Sequence, residues 1–200
     1  MLRAHSDRYP FWINCFGVFA LLAILLSGLG NTVVNDSDPL WHIASGDLIR
    51  QLRAIPANDP WSFTAGDYRW LNISWMWDIL FSYIHEHLGW HGAIAANAII
   101  MALAYSIAYA ACLLRSGNGI ASFLTIALML MMCSLELRPL QITHLMIALW
   151  MLLLGQVTRH RCHALWLAAL PFLTIIWVNC HGGFILAPVL LGTAFVQALL

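Results

Sequence analysis

Long apolar runs, separated by short polar turns, dominate this chain of 200 residues. A bilayer core needs about 20 apolar residues in a helix, within a range of roughly 17–25. Stretches near that length fall at about 11–30, 92–114, 119–137, 140–157, 164–180 and 184–200. Polar residues collect between 31 and 91 and in the turns between the later runs. The pattern predicts an all-α membrane protein, a single transmembrane domain of about six helices with a long first outer loop at 31–91. The first run follows Arg3 and Arg8, as an export signal would. It is long for such a signal and no A-x-A site follows, so it reads as a retained signal-anchor helix.

Within 31–91 the periodicity changes from continuous to amphipathic. Asp38-Pro39 reads as a helix N-cap followed by proline at the first helical position. Leu40, Ile43, Ala44, Leu48 and Leu52 then recur at helical spacing, with Ser45, Arg50, Gln51 and Arg53 more polar. This predicts a helix to about Arg53 lying along the membrane surface. Pro56 to Gly66 is rich in turn formers, and a second amphipathic segment runs from about Ile73 to Leu88. Trp70, Trp75, Trp77 and Trp90 suit the membrane interface, where indole rings prefer to sit.

Composition strengthens the membrane reading. The chain is 62% hydrophobic and 9% charged, against about 25% charged in a soluble domain. Its mean hydropathy is +0.79, so lipid must replace much of the water around it. The net charge is zero, and all nine cations are Arg. No basic stripe offers an electrostatic footprint for nucleic acid. Cys15, Cys112, Cys133, Cys162 and Cys180 form neither a CxxC nor a zinc spacing, and read as small buried hydrophobes.

Arginine placement sets the orientation. Arg3 and Arg8 put the N-terminus in the cytoplasm, and alternation brings Arg115 and Arg159-His160-Arg161 to the same side. The 31–91 segment carries Arg50, Arg53 and Arg69 against seven acids, and falls outside. Three polar clusters, at 35–42, 136–139 and 179–183, then share the outer face.

Those clusters hold the candidate chemistry. Asp36 and Asp38 are two apart, so in extended backbone they point the same way. A carboxylate there can serve as a general base on a hydroxyl or hold a hard cation. A divalent ion is thus an open option, and no other cofactor is implied. Capping alone also accounts for Asp38. Arg138 has the planar fork that suits a phosphate; equally, it can snorkel at a helix end that Pro139 marks. Glu136 is two residues away, a spacing that does not pair on a helix. Asn179 and His181 close the fifth run, and His42 follows Asp38 by four residues; all three can bind phosphate or sugar. His85-Glu86-His87, with His91, looks metal-like, but histidines two apart splay on a helix and read as a solvated helix end. The Asn72-Ile73-Ser74 sequon is too common a pattern to decide anything.

The segments Asn35-Asp36-Ser37-Asp38-Pro39-Leu40-Trp41-His42-Ile43-Ala44-Ser45-Gly46, Ile55-Pro56-Ala57-Asn58-Asp59-Pro60-Trp61-Ser62-Phe63-Thr64 and Trp70-Leu71-Asn72-Ile73-Ser74-Trp75 occur in that order. Arg138-Pro139-Leu140-Gln141 and Trp177-Val178-Asn179-Cys180-His181-Gly182-Gly183-Phe184 follow. In this order they resemble the N-terminal part of bacterial multi-pass glycosyltransferases of the GT-C fold that use polyprenyl-phosphate-linked sugars. The resemblance implies an acidic catalytic residue in the first outer loop, here Asp36 or Asp38, and loop helices lying along the membrane. It implies Arg138 and His181 on the lipid-phosphate side. It further implies the bacterial inner membrane, a glycan, lipid or protein hydroxyl as acceptor, and membrane lipid as surroundings. Such enzymes usually carry more transmembrane helices and often a soluble C-terminal domain. The chain is therefore expected to be incomplete at its C-terminus or to act with a partner subunit. Two other readings stay open: a non-catalytic membrane subunit of a polysaccharide or glycan assembly complex, and a lipid or solute transporter. A transporter needs ionisable groups near the bilayer midplane; the predicted helix centres hold none, His144 being the nearest exception.

Overall fold

A computed structural model describes residues 11–30, 37–64, 66–133, 136–159 and 162–199. The elements are α1 (Phe11–Gly30), α2 (Asp38–Leu52), α3 (Trp75–Ser116), α4 (Gly119–Met131), α5 (Leu140–Thr158), α6 (Ala169–Cys180) and α7 (Leu186–Leu199). Short 3-10 turns, Ala164–Ala168 and Gly182–Ile185, lead into α6 and α7. Among the described residues there is no strand, only an isolated antiparallel bridge between Asn58 and Arg69.

Among the described residues three helices are long and apolar enough to cross a membrane: α3, α5 and the stretch Gly182–Leu199. The apolar helices Gly119–Met131 and Ala164–Cys180 are shorter. The sequence leads one to expect α4 to continue to 137. It stops at Met131 because the next amides fold back tightly, Met132 N–H to Met129 C=O and Cys133 N–H to Leu130 C=O, both at 3.2 Å.

The surface helix α2 spans the residues its periodicity indicates. Ser37 rather than Asp38 holds the N-cap position, with no side-chain capping bond, and Pro39 supplies the fixed φ of the first turn. Asp38 is the first helical residue, and its carboxylate is turned to Arg138. α3 is two helical stretches that meet at Gly89, whose φ of 62° and ψ of −164° are open chiefly to a residue without a β-carbon. The break separates 75–88 from 90–116, which are the amphipathic segment and the apolar run seen in the sequence.

α3 is the hub. On one side Leu22 and Leu26 of α1 and Ile126 of α4 bury against Ala98, Met101, Ala102, Tyr105 and Tyr109. On the other, Trp77, Phe81 and Ile94 meet Met146 and Trp150 of α5 and Trp177 of α6. Small residues such as Ala93, Ala98 and Ala102 allow helices to approach where lipid removes the hydrophobic driving force. α7 contributes only Ala187 among the buried residues, and its Phe195 and Leu199 face outward.

α2 comes close against α3 at Gly46. A β-carbon on Gly46 would lie 2.1 Å from the Asp78 carbonyl oxygen and 2.6 Å from the Ser82 β-carbon. Gly46→Ala is expected to lower the apparent thermal midpoint of the detergent-purified chain, through a cost of about 1–3 kcal/mol for overpacking. Gly17→Ala, with nothing within 4 Å of the added carbon, serves as the control, with a midpoint expected at or above that of the parent.

Candidate functional site

The centre of the α2–α3 junction is a carboxylate. Asp78, one turn into α3, has no solvent exposure. His42 Nδ1 donates to its Oδ1 at 2.6 Å, and Asn72 Nδ2 donates to its Oδ2 at 2.7 Å. Asn72 also donates to Ser45 Oγ at 3.1 Å and accepts from the Ser74 amide and hydroxyl at 2.9 and 3.2 Å. The sequon asparagine is thus occupied as the brace of a buried acid. Further along the same junction Ser82 Oγ donates to Asp47 at 2.6 Å, Arg50 Nη1 donates to Ser82 Oγ at 3.0 Å, and Arg50 pairs with Glu86.

This network dictates what His42 presents. With its Nδ1 proton given to Asp78, the neutral ring keeps Nε2 as an acceptor. Asp38 and His42 are four apart and share a helix face. Asp38 Oδ2 lies 3.1 Å from Arg138 Nε, and Glu136 Oε2 lies 3.0 Å from the same nitrogen. Glu136 and Arg138 therefore do pair, because 136–139 is a turn and the helical spacing rule does not apply there. Asp36 lies outside the described residues.

The third cluster joins from the end of α6. Trp177 Nε1 donates to Thr143 Oγ1 at 2.9 Å, which leaves the Thr143 hydroxyl proton for His181 Nδ1 at 2.8 Å. The Gly183 amide also donates to that nitrogen, at 3.0 Å. Two donors on Nδ1 put the ring proton on Nε2, so neutral His181 presents a donor where His42 presents an acceptor. Trp75 Nε1 donates to Asn179 Oδ1 at 2.8 Å, tying the start of α3 to the end of α6. Asp38, His42, Arg138, Asn179 and His181 thus gather at one end of the bundle, on three separate segments.

The loop over this end is fastened by aromatic contacts. Trp41 packs against Trp61 and Trp70 with ring centroids 5.2 and 6.1 Å apart. Backbone bonds Asp59 N–H to Tyr68 C=O and Trp70 N–H to Ala57 C=O, both 2.9 Å, close the loop. The Ser62 hydroxyl and the Trp61 amide hold the Asp59 carboxyl below its usual range. Among the described residues no group of three or more His, Cys, Asp or Glu has the arrangement of a metal site. His85 packs on Trp90 and His87 meets the Tyr83 carbonyl, so the two rings of the metal-like run have different partners.

Sequence reasoning missed Asp78. The available signal was a lone carboxylate inside a tryptophan-rich apolar stretch, which needs partners wherever it is buried.

Burial, followed by the neighbouring imidazoles of His144 and His42, depresses the His181 imidazole below its ordinary 6.5. The folded chain therefore favours the neutral ring. That contribution to stability is complete above the unfolded value near 6.5 and is lost as the pH falls through the lower folded value. The apparent thermal midpoint is expected to drop on acidification below about 6.5, and to drop less in His181→Gln. Equal pH profiles for the two proteins contradict this. Comparison with protein-family models, with curated proteins and with solved structures finds no match to this chain.

Proposed function

We propose that this chain forms the acceptor- and phosphate-binding end of a membrane glycosyltransferase of the GT-C type. The reaction is transfer of a sugar from a polyprenyl-phosphate donor to a hydroxyl acceptor at the outer face of a bacterial inner membrane. The reading takes the six apolar runs as spans, with the N-terminus cytoplasmic.

The observation that carries it is the approach of Asp38 to Arg138, at 3.1 Å between Oδ2 and Nε. An acid from the surface helix and a guanidinium from the 136–139 turn stand side by side at the end of an apolar bundle. In transfer, Asp38 or Asp36 takes the proton of the acceptor hydroxyl as that oxygen attacks the anomeric carbon. The bond from that carbon to the phosphate oxygen breaks, and the lipid phosphate leaves with the electron pair. Arg138 offsets its charge, with the Nε2 proton of His181 as a second donor. His42, fixed by Asp78, and Asn179 orient hydroxyls. One base suffices, since the acceptor replaces the water that a hydrolase must activate.

A general base is worth about 10²–10⁴-fold. Asp38→Asn or Asp36→Asn, whichever removes the base, is expected to cut transfer from a prenyl-phosphate sugar in proteoliposomes by that factor. Arg138→Gln is expected to reduce kcat/KM with retained folding. Full activity in both aspartate variants and in the double variant refutes the assignment.

A further inference from the structure

At the end of the bundle opposite the carboxylates, α3, α4 and α5 leave a cavity of about 220 Å³. Its walls include Ala108 and Ala111 of α3, Met129 of α4, and Ala148, Met151 and Gly155 of α5. Small side chains create the space: a β-carbon added to Gly155 would meet nothing within 4 Å. Arg115 and Arg159, at the ends of α3 and α5, line the same cavity. From these arginines back to Ala108 and Ala148 the slot runs about 10–16 Å along the helices.

Among the described residues neither guanidinium has a carboxylate partner. Arg159 Nη1 donates to the Arg115 backbone carbonyl at 3.3 Å, which joins the ends of α3 and α5. In the amide orientation that satisfies both groups, the Gln197 oxygen of α7 accepts from Arg115 at 3.0 and 3.2 Å. Both acceptors are neutral. Among the described residues every carboxylate belongs to the segment 38–86 or to Glu136, and Glu136 is separated from Arg159 by about 30 Å of helix. A deep apolar slot beside two cations with only neutral acceptors is complementary to an amphiphile with an anionic head and one apolar tail. Basic pockets between membrane helices bind anionic lipid headgroups on this principle.

We propose that this slot holds an anionic phospholipid of the surrounding bilayer, its phosphate on Arg115 and Arg159 and one acyl chain between α3, α4 and α5. The proposal depends on α3 and α5 lying in a membrane and is independent of the sugar-transfer reading.

Native mass spectrometry of the full chain, delipidated in a neutral maltoside detergent and titrated with dioleoylphosphatidylglycerol or dioleoylphosphatidylcholine, tests it. Phosphatidylglycerol is expected to be retained preferentially, and the R115Q/R159Q double variant to bind it roughly ten- to thirty-fold more weakly. G155L fills the slot and is expected to reduce binding while leaving the thermal midpoint at or above that of the parent, because leucine favours helix over glycine. Asp38→Asn is expected to bind the lipid normally, so loss of transfer and loss of lipid remain separate results. Equal retention of the two phospholipids, undiminished binding by R115Q/R159Q, or displacement of phosphatidylglycerol by an equimolar prenyl phosphate overturns the proposal.

Discussion

A carboxylate sealed from solvent at a helix junction must be met by donors, or its burial costs more than the junction gains. Asp78 meets that demand with His42 from α2 and Asn72 from the connecting loop. Gly46 is the complement of the same constraint, because His42 reaches Asp78 only if the α2 backbone comes against the α3 backbone. The Ser82–Asp47 and Arg50–Glu86 contacts extend the same junction, with Asp78 as its sealed centre. The polar end of the bundle depends on this attachment of α2 to α3.

From the attachment the remaining geometry follows in steps. Rotation of α2 is fixed by His42 and Ser45 facing α3, which turns Asp38 to the 136–139 turn. That turn starts α5, whose Thr143 sets the tautomer of His181 through a hydroxyl already accepting from Trp177. The two histidines end with opposite hydrogen-bonding character at Nε2, one acceptor and one donor. A site built this way can bind a neutral hydroxyl and an anionic oxygen at separate positions, as transfer from a phosphate donor requires. The opposite end of the bundle carries cations with neutral partners instead, and the two ends are chemically distinct.

Much of this was legible in residue order. The 3.6-residue spacing of Leu40, Ile43, Leu48 and Leu52 foretold α2, because an amphipathic helix at an interface must put its apolar positions on one side. The change from amphipathic to uniformly apolar near Leu88 foretold the break at Gly89. What periodicity left open was pairing. Nothing in the spacing of His42, Asn72 and Asp78 identifies them as partners, since burial of an acid is a tertiary fact. The Glu136–Arg138 pair was hidden for the opposite reason: helix rules were applied to residues that form a turn. The early end of α4 at Met131 was hidden too, because hydropathy continues through Met132 and Cys133 while the backbone does not.

The claim that Asp78 fastens α2, and through it the polar end, is tested most directly by hydrogen–deuterium exchange of the reconstituted chain with Asp78 replaced by Ala. Faster exchange is predicted across the α2 amides, with the α5 core around Met146 and Trp150 unchanged. Unaltered α2 protection in that variant, or equal loosening of α2 and α5, contradicts the account.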